Sequence, residues 1–549
     1  MLRHNNNCQS LTLRTLIRRI SSRSFVTGSR SRLLEVPGSC GCEQPIATRR
    51  WTVSAAEKLA NRIIANYDDP LQSSAIDVPG HVESVLQSLG ATTADAGGKV
   101  TYYGADPITP DRLPYGSISA IPLAAKAILI AKIWKERTGQ GQDIHIDVRK
   151  SLRRLTPFLD GKWELVNGFP GRTDPYSPFA GGPDIVPTGD GKWVMFAEPY
   201  PALRQRALEL LKPRGGTYQA LADAVKEWQG EELEAAAEKA GIPMPLARNI
   251  KDVLKMDAFT KNLGLIPLVS VEKVGESDPI PFTPNPTTPL DGIRLLSSSH
   301  VIAAPSIGRA MALHGADSLN VWRPTDVEHS LWHYTSHVGV RSTVLELKSK
   351  EGRAKFGELL SDADVLVTNR RPGWRQRFNI TPDDVLKERP GLIDTQVTWA
   401  GESGPWSSRV GFDITATFAL GLDNIEGSDE KPVHPSIFVA CDYAAGWLAT
   451  CGILSALLRR AKEGGSYRVR VSLVRTALWL PELGIFDRDY AKKTAGSGDE
   501  HLYPDPDTFT ADTPMGHYKG VTEMIDMSKT PGEYKHPLTP FGSWQPSWL

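Results

Sequence analysis

The sequence predicts an α/β protein: a mainly parallel sheet with helices on its faces. Three observations carry this. Beyond a Pro-rich connector at Asp278–Pro289, short apolar strands alternate with helix-length stretches, the signature of βαβ units. A unit made of a long apolar helix, a Gly stop and an alternating strand occurs twice, 325 residues apart. Composition is that of an ordinary globular chain, with 40% apolar, 8% aromatic and 23% charged residues.

The elements follow in order. Residues 54–66 and 117–137 read as helices, the second stopped by Gly139 and Gly141, and Asp143–Val148 alternates like a strand. Residues 166–190 are dense in Gly and Pro and read as loop, and 203–260 read as helical. After the connector come strands at Ile293–Leu296, Ser318–Trp322, Thr343–Leu347, Asp364–Thr368 and Leu392–Val397. Helices at Ser306–Leu313 and Gly352–Leu360 interleave with them. Sheets built this way bind ligands beyond the carboxyl ends of their strands. No GxGxxG follows the first strand, which reads SSSHVIAAPS, so dinucleotide chemistry is not expected.

Charge and cysteine content exclude other classes. The formal charge is zero, yet residues 1–34 hold seven Arg, no Lys and no acid, leaving the rest mildly acidic. An acidic body is not expected to bind nucleic acid. The basic stretch, with Leu11, Leu13, Leu16, Ile17 and Ile20 facing Arg14 and Arg18, has the composition of a mitochondrial transit peptide; otherwise the protein is expected in the cytoplasm. Five Cys in 549 residues do not make a disulfide scaffold, and Cys40-x-Cys42 lacks a second pair. The best candidate span, Ile118–Trp134, is broken by Lys126 and Lys132, so no membrane partner is expected.

The repeated unit aligns Gly139 with Gly464. Eight identities fall between residues 116 and 155, among them Ala120, Leu123, Ile128 and Leu129. Two amphipathic helix–Gly–strand units of unrelated origin would also look alike. At this offset Asp442 aligns with Ser117. Asp442 begins a predicted helix, Ala444–Lys462, where a carboxylate is either a plain N-cap or a nucleophile stabilised by free N–H groups.

Four segments in order, PLDGIRLLSSSHVIAAPSIGRAMALHGADSLNVWRP (289–324), VRSTVLELKSKEGR (340–353), DADVLVTNRRPG (362–373) and CDYAAGWLATCGILSALLRRAKEGG (441–465), resemble the class III CoA-transferases, the CaiB/BaiF family. TGDGKW (188–193), Trp228 and GIPMPL (241–246) resemble that family's small domain. The resemblance implies an open Rossmann-like large domain, a smaller α/β domain and the following division. Residues 1–34, set apart by composition, read as the transit peptide; the resemblance makes 35–165 a shortened, degenerate large-domain copy and 166–288 the small domain with linker. Residues 289–480 are a full large domain and 481–549 a linker or tail.

It further implies transfer of CoA between an acyl-CoA and a carboxylic acid through an aspartyl thioester on Asp442. CoA contacts are implied at Val301, Ile302, Ala303, Arg323, Asn369 and Arg377, and Arg suits phosphate oxygens. The CoA thioester is substrate, with no permanently bound cofactor and no metal. The chain is expected to pair as a homodimer or to form a pseudo-dimer within itself, with one active site. Departures from the family pattern are Val340, where a Lys is usual, and a glycine-rich loop reduced to Ala180-Gly181-Gly182.

Two alternatives stand beside transfer. An α-methylacyl-CoA racemase needs a base on each face of the α-carbon, but Phe412 occupies the position of its His. A CoA-binding pseudoenzyme is the other. His329, His333 and His337 have helical spacing without an acid to complete a metal set. His300 lies in the first strand–helix loop, and Cys441 and Cys451 read as small apolar residues of a buried helix.

Overall fold

The computed structural model describes residues 53–155, 157–173 and 184–549, which lie in one unit, Trp51–Leu549. The expected leader at 1–34, Cys40 and Cys42, and the Ala180–Gly182 loop fall outside the described residues.

The central sheet has seven strands: β3 (Ser270–Gly275), β4 (Arg294–Ser298), β5 (Asp317–Trp322), β6 (Arg341–Val344), β7 (Val365–Thr368), β8 (Ile393–Thr398) and β9 (Ser466–Ser472). Two earlier strands, β1 (Val100–Tyr103) and β2 (Ile144–Asp147), lie in the first lobe, and β10 (Ile525–Met527) lies near the C-terminus. The seven run in the order β6-β5-β4-β7-β8-β9-β3, parallel except for the antiparallel edge pair β9/β3. From β4 the chain steps outward through β5 and β6, then returns to the other side of β4 at β7. The carboxyl ends of β4 and β7 therefore flank a topological switch point, where loops diverge and leave a crevice.

Two long helices form the core beside this sheet. Helix α1 (Tyr115–Thr138) buries every residue from Tyr115 to Ala131, and α4 (Cys441–Glu463) every residue from Cys441 to Leu458. Both end at a Gly with positive φ, 75° at Gly139 and 63° at Gly464, a conformation a side chain would strain. Between them in the chain lie α2 (Ala303–Leu313) and α3 (Asp413–Ala419). The expectation that no segment is long enough to cross a bilayer needs correction: α1 and α4 both have the length and apolarity for it. Both are almost wholly buried inside the protein, since they pack on each other, and a helix apolar on all sides is what such a position requires.

The two units that align 325 residues apart fold alike. In the second, β8 runs parallel to β9 and β3 antiparallel to it; in the first, β1 runs parallel to β2 and β10 antiparallel to it. Asp111 accepts hydrogen bonds from the Ser436 amide and hydroxyl, and Lys126 lies near Cys451. Each pair is a residue meeting the one aligned with it, the geometry of a local two-fold axis.

The small domain has its own core, built from a hairpin (Ile185–Pro187 and Trp193–Met195) and helices Pro201–Leu211, Tyr218–Val225 and Gly230–Ala240. This core takes up part of the segment 166–288, which the resemblance assigns to the small domain together with a linker. Residues from Ile250 onward pack in the main core, and β3 closes the central sheet. Residues 481–549 hold more than a linker. Strands Thr508–Thr513 and Gly516–Val521 extend a sheet begun at Leu165–Val166, β10 pairs with β2, and Leu549 donates its amide to Asp317.

Candidate active site

A cavity of about 750 Å³ opens at the switch point, walled by both domains. His300, Val301 and Ala303 come from the loop after β4, and Asn369, Arg370 and Arg371 from the loop after β7. Tyr200, Leu203 and Arg206 of the small domain face them, and Asp442 stands at the inner end of α4.

The β4 loop is held in an unusual shape. Val301 has φ +68°, a region that a β-branched side chain disfavours by about 1–3 kcal/mol. Two bonds hold it there: its N–H donates to Glu328 Oε2 at 2.7 Å, and its carbonyl accepts from Ser336 Oγ at 2.6 Å. Asn369 clasps the preceding residue, donating Nδ2–H to the His300 carbonyl at 2.8 Å and accepting its N–H at 3.2 Å. Asn369 thus lines the cavity with both amide ends engaged by main chain. Burial and nearby Arg370 push His300 down to about 4, so its ring is neutral at physiological pH.

Cations gather on one side. Arg323 and Arg370 share the carboxylate of Asp326, which lies well below the usual range although burial opposes this. Arg206 and Arg371 have no ion-pair partner among the described residues. Burial, together with Arg206 and Arg323 close by, lowers the Arg371 guanidinium. Apolar side chains also line the cavity: Tyr200 stacks on Phe412 at 6.3 Å between centroids, and Trp399, Val397, Val410 and Leu473 contribute as well.

Asp442 lines the cavity at 5% exposure. The expectation of a helix start at Ala444 is corrected: α4 begins at Cys441, and Asp442 is its second residue. Its carboxyl therefore does not cap the helix. That task falls to Asp413 at the head of α3, whose Oδ2 accepts the Asp442 N–H at 2.6 Å. The Asp442 carboxyl is pushed up to about 7 by burial. The aligned position in the first lobe, Ser117, donates both its N–H (2.6 Å) and its hydroxyl (2.7 Å) to Asp106.

Of the CoA contacts implied by sequence, Val301, Ala303, Arg323 and Asn369 reach the cavity and two do not. Ile302 points into the core beneath α2. Arg377 lies on the short helix Trp374–Phe378, which buries Trp374 and Phe378, so Arg377 is turned to solvent on another face. Val340 packs on Gly308 in the interior, away from the cavity. The Val301 amide, held by Glu328, is not free to bind an oxyanion. His329 and His333 each meet a different backbone carbonyl, of Pro199 and Thr539, and His337 lies 3.6 Å from Glu328. Among the described residues no group of His, Cys, Asp or Glu is arranged to hold a metal ion.

Three participants escaped sequence reasoning. Arg206 and Tyr200 sit in the small domain, whose docking over the cavity no local pattern encodes. Asp413 carried a signal, since it follows the Gly411-Phe412 pair, but its partner lies 29 residues away.

Comparison with known proteins finds a family resemblance over part of the chain. Residues 290–512 match CoA-transferase family III. Over that segment the chain is similar to the class III CoA-transferases. An acetyl-coenzyme A transferase of Hypoxylon pulicicidum is 32% identical over 228 residues, 40% of this chain and 36% of that protein. The beta subunit of a succinyl-CoA–L-malate CoA-transferase from Chloroflexus aurantiacus is 33% identical over 195 residues, 33% of this chain and 48% of that one. Among solved structures, Rv3272 from Mycobacterium tuberculosis aligns at 27% identity over 36% of this chain and 58% of that chain, with a TM-score of 0.34. The chain thus spans about half, or less, of the length of these curated relatives. The matched segment holds Asp442, the β4 and β7 loops and Asp413, while Arg206 and Tyr200 lie outside it.

Proposed function

We propose that the protein transfers CoA between an acyl-CoA and a carboxylic acid through a covalent intermediate on Asp442. The observation that carries this is a carboxyl buried beside a cavity, unpaired with any cation among the described residues and relieved of capping its own helix. Such a group is a stronger nucleophile than a solvated carboxylate and is ionised in appreciable fraction near pH 7.

The steps balance without a co-reactant. The Asp442 carboxylate attacks the thioester carbonyl and expels CoA thiolate, leaving a mixed anhydride. The thiolate attacks the aspartyl carbonyl, releasing the first acid as its carboxylate and forming aspartyl–CoA thioester. The second acid's carboxylate attacks that thioester and again expels thiolate, which takes the new acyl group and restores Asp442. Arg206, Arg323 and Arg371 suit the phosphates of CoA, and the aromatic wall of Tyr200, Phe412 and Trp399 suits an apolar acyl group. The first lobe is in this reading a shortened copy of the large domain, with Ser117 where the nucleophile would stand, so the chain has one active site.

The test is intact mass spectrometry of the full chain after exposure to a panel of acyl-CoAs. An adduct mapping to the peptide that holds Asp442, absent in Asp442→Ala, is expected. Exchange of the α-proton into deuterated water without exchange of acids would make the protein a racemase. CoA binding with neither reaction would make it a pseudoenzyme.

A further inference from the structure

At the buried start of α4 the Asp413 carboxyl binds the Asp442 main chain, which brings the two side chains near enough for the charge of Asp442 to act on Asp413. They are 2% and 5% exposed, and the Asp413 carboxyl reaches the Asp442 amide at 2.6 Å. Neither is in an ion pair among the described residues. Two like charges this close, with little water and no cation, do not both ionise. Only one of them faces open space, because Asp442 lines the cavity and Asp413 does not. A charge is less costly at the wall of a cavity than behind it.

We propose that Asp413 is the positioning partner of Asp442: as a neutral carboxylic acid it caps α4 in Asp442's place, and it leaves on the cavity residue the one negative charge the pair can carry. This rests on the transferase reading of Asp442. The first lobe shows the same cap without the charge problem. There Asp106 binds the amides of Gly116 and Ser117 and the Ser117 hydroxyl, and no second carboxyl follows. The pair is therefore one titrating unit whose first ionisation belongs to Asp442 and whose second, above it, belongs to Asp413. Burial and the Asp442 charge together hold the Asp413 carboxyl well above the usual range.

Of the surrounding groups, Cys441, Tyr115, His300 and Arg370 keep their charge between pH 5 and 8, whereas Glu426, on the helix Leu422–Glu426 that follows α3, is pushed up to about 8 by burial and the nearby Asp111. Cys441 on α4 and Tyr115 at the head of α1 are both held well above their ordinary ranges by burial. His300 is held down near 4, and Arg370 stays paired with Asp326. A pH dependence in that window is assigned to the pair by its response to Asp413→Asn, a change that leaves Glu426 in place.

The experiment measures the rate of aspartyl–CoA formation against pH in the full-length protein. Asp413→Asn keeps an uncharged acceptor of similar shape, so it is expected to form the adduct at a rate close to wild type at pH 7. Its acid limb should stay where it is, and the decline at high pH that accompanies Asp413 ionisation should disappear. Asp413→Ala loses the acceptor and should be slower by about 100-fold, the effect of a displaced nucleophile. Asp106→Asn, the matching change in the first lobe, should leave the whole profile unmoved. If Asp413→Asn shifts the acid limb down by about one unit, Asp413 was charged and the proposal is wrong. The same holds if Asp413→Asn is as slow as Asp413→Ala.

Infrared difference spectra supply a readout that does not need turnover. A protonated carboxyl band present in wild type at pH 8 should vanish in Asp413→Asn, and its persistence overturns the proposal. A wild-type protein that shows this band yet forms no adduct would instead refute the transferase reading and leave the proton on Asp413.

Discussion

The starts of α1 and α4 are built alike and end up chemically opposite. Each is capped from a distance by an Asp that accepts the amide of the second or third helical residue at 2.6 Å. In the first lobe that residue is Ser117, whose hydroxyl also binds the capping Asp106, so the site is neutral in design and closed. In the second it is Asp442, whose carboxyl finds no such partner and faces a cavity. One side-chain difference thus separates a structural cap from the proposed nucleophile. It can do so because capping has been handed to another residue in both places.

The largest effect that can break this comparison is on chemistry. Asp442→Ser, which copies the first lobe into the second, should abolish adduct formation and acid exchange by about 10⁴-fold or more, measured by mass spectrometry and steady-state transfer. Transfer that survives would move the nucleophile elsewhere. The reverse change, Ser117→Asp, buries an unpaired carboxylate where no cavity relieves it. It should destabilise the protein by about 3–5 kcal/mol in denaturant titration and create no second reactive site.

Smaller effects sharpen the contrast. Arg206→Ala, in the small domain, should raise the KM for an acyl-CoA about tenfold, some 1.4 kcal/mol, with kcat little changed. The loss should shrink at high salt and for a substrate lacking the nucleotide phosphates. Stability should also depend on pH through Asp442. Its folded-state value is raised to about 7, so the protonated form is favoured by the fold, and stability is lost as pH rises from about 4 through 7. Asp442→Asn should therefore raise Tm more at pH 8 than at pH 5. Asp106→Ala, which removes an ordinary cap, should cost about 1–2 kcal/mol of stability and leave the pH profile of the reaction unaltered.

Much of the fold was legible because strands and helices of the second lobe keep simple periodicities. Ile293–Leu296 and Asp364–Thr368 read as strands and fold as β4 and β7, with ends shifted by a residue or two. Gly139 and Gly464 stop their helices as expected, since both need positive φ. The CoA residues were harder. Arg377 shares its local sequence with Asn369 and Arg371, yet one turn of helix carries it to the far face.

The amino-acid sequence by itself determined the α/β class, the matched pair of apolar helices, and the carboxyl at position 442 with a hydroxyl at its aligned partner. These depend on local periodicity and residue type. Only the tertiary structure decided what the carboxyl does there. Its burial, the removal of its capping duty to Asp413, and the presence of Arg206 in the wall of the same cavity all depend on segments distant in the chain being brought together. Electrostatics in a poorly hydrated site is set by those neighbours, and no stretch of sequence around residue 442 contains them.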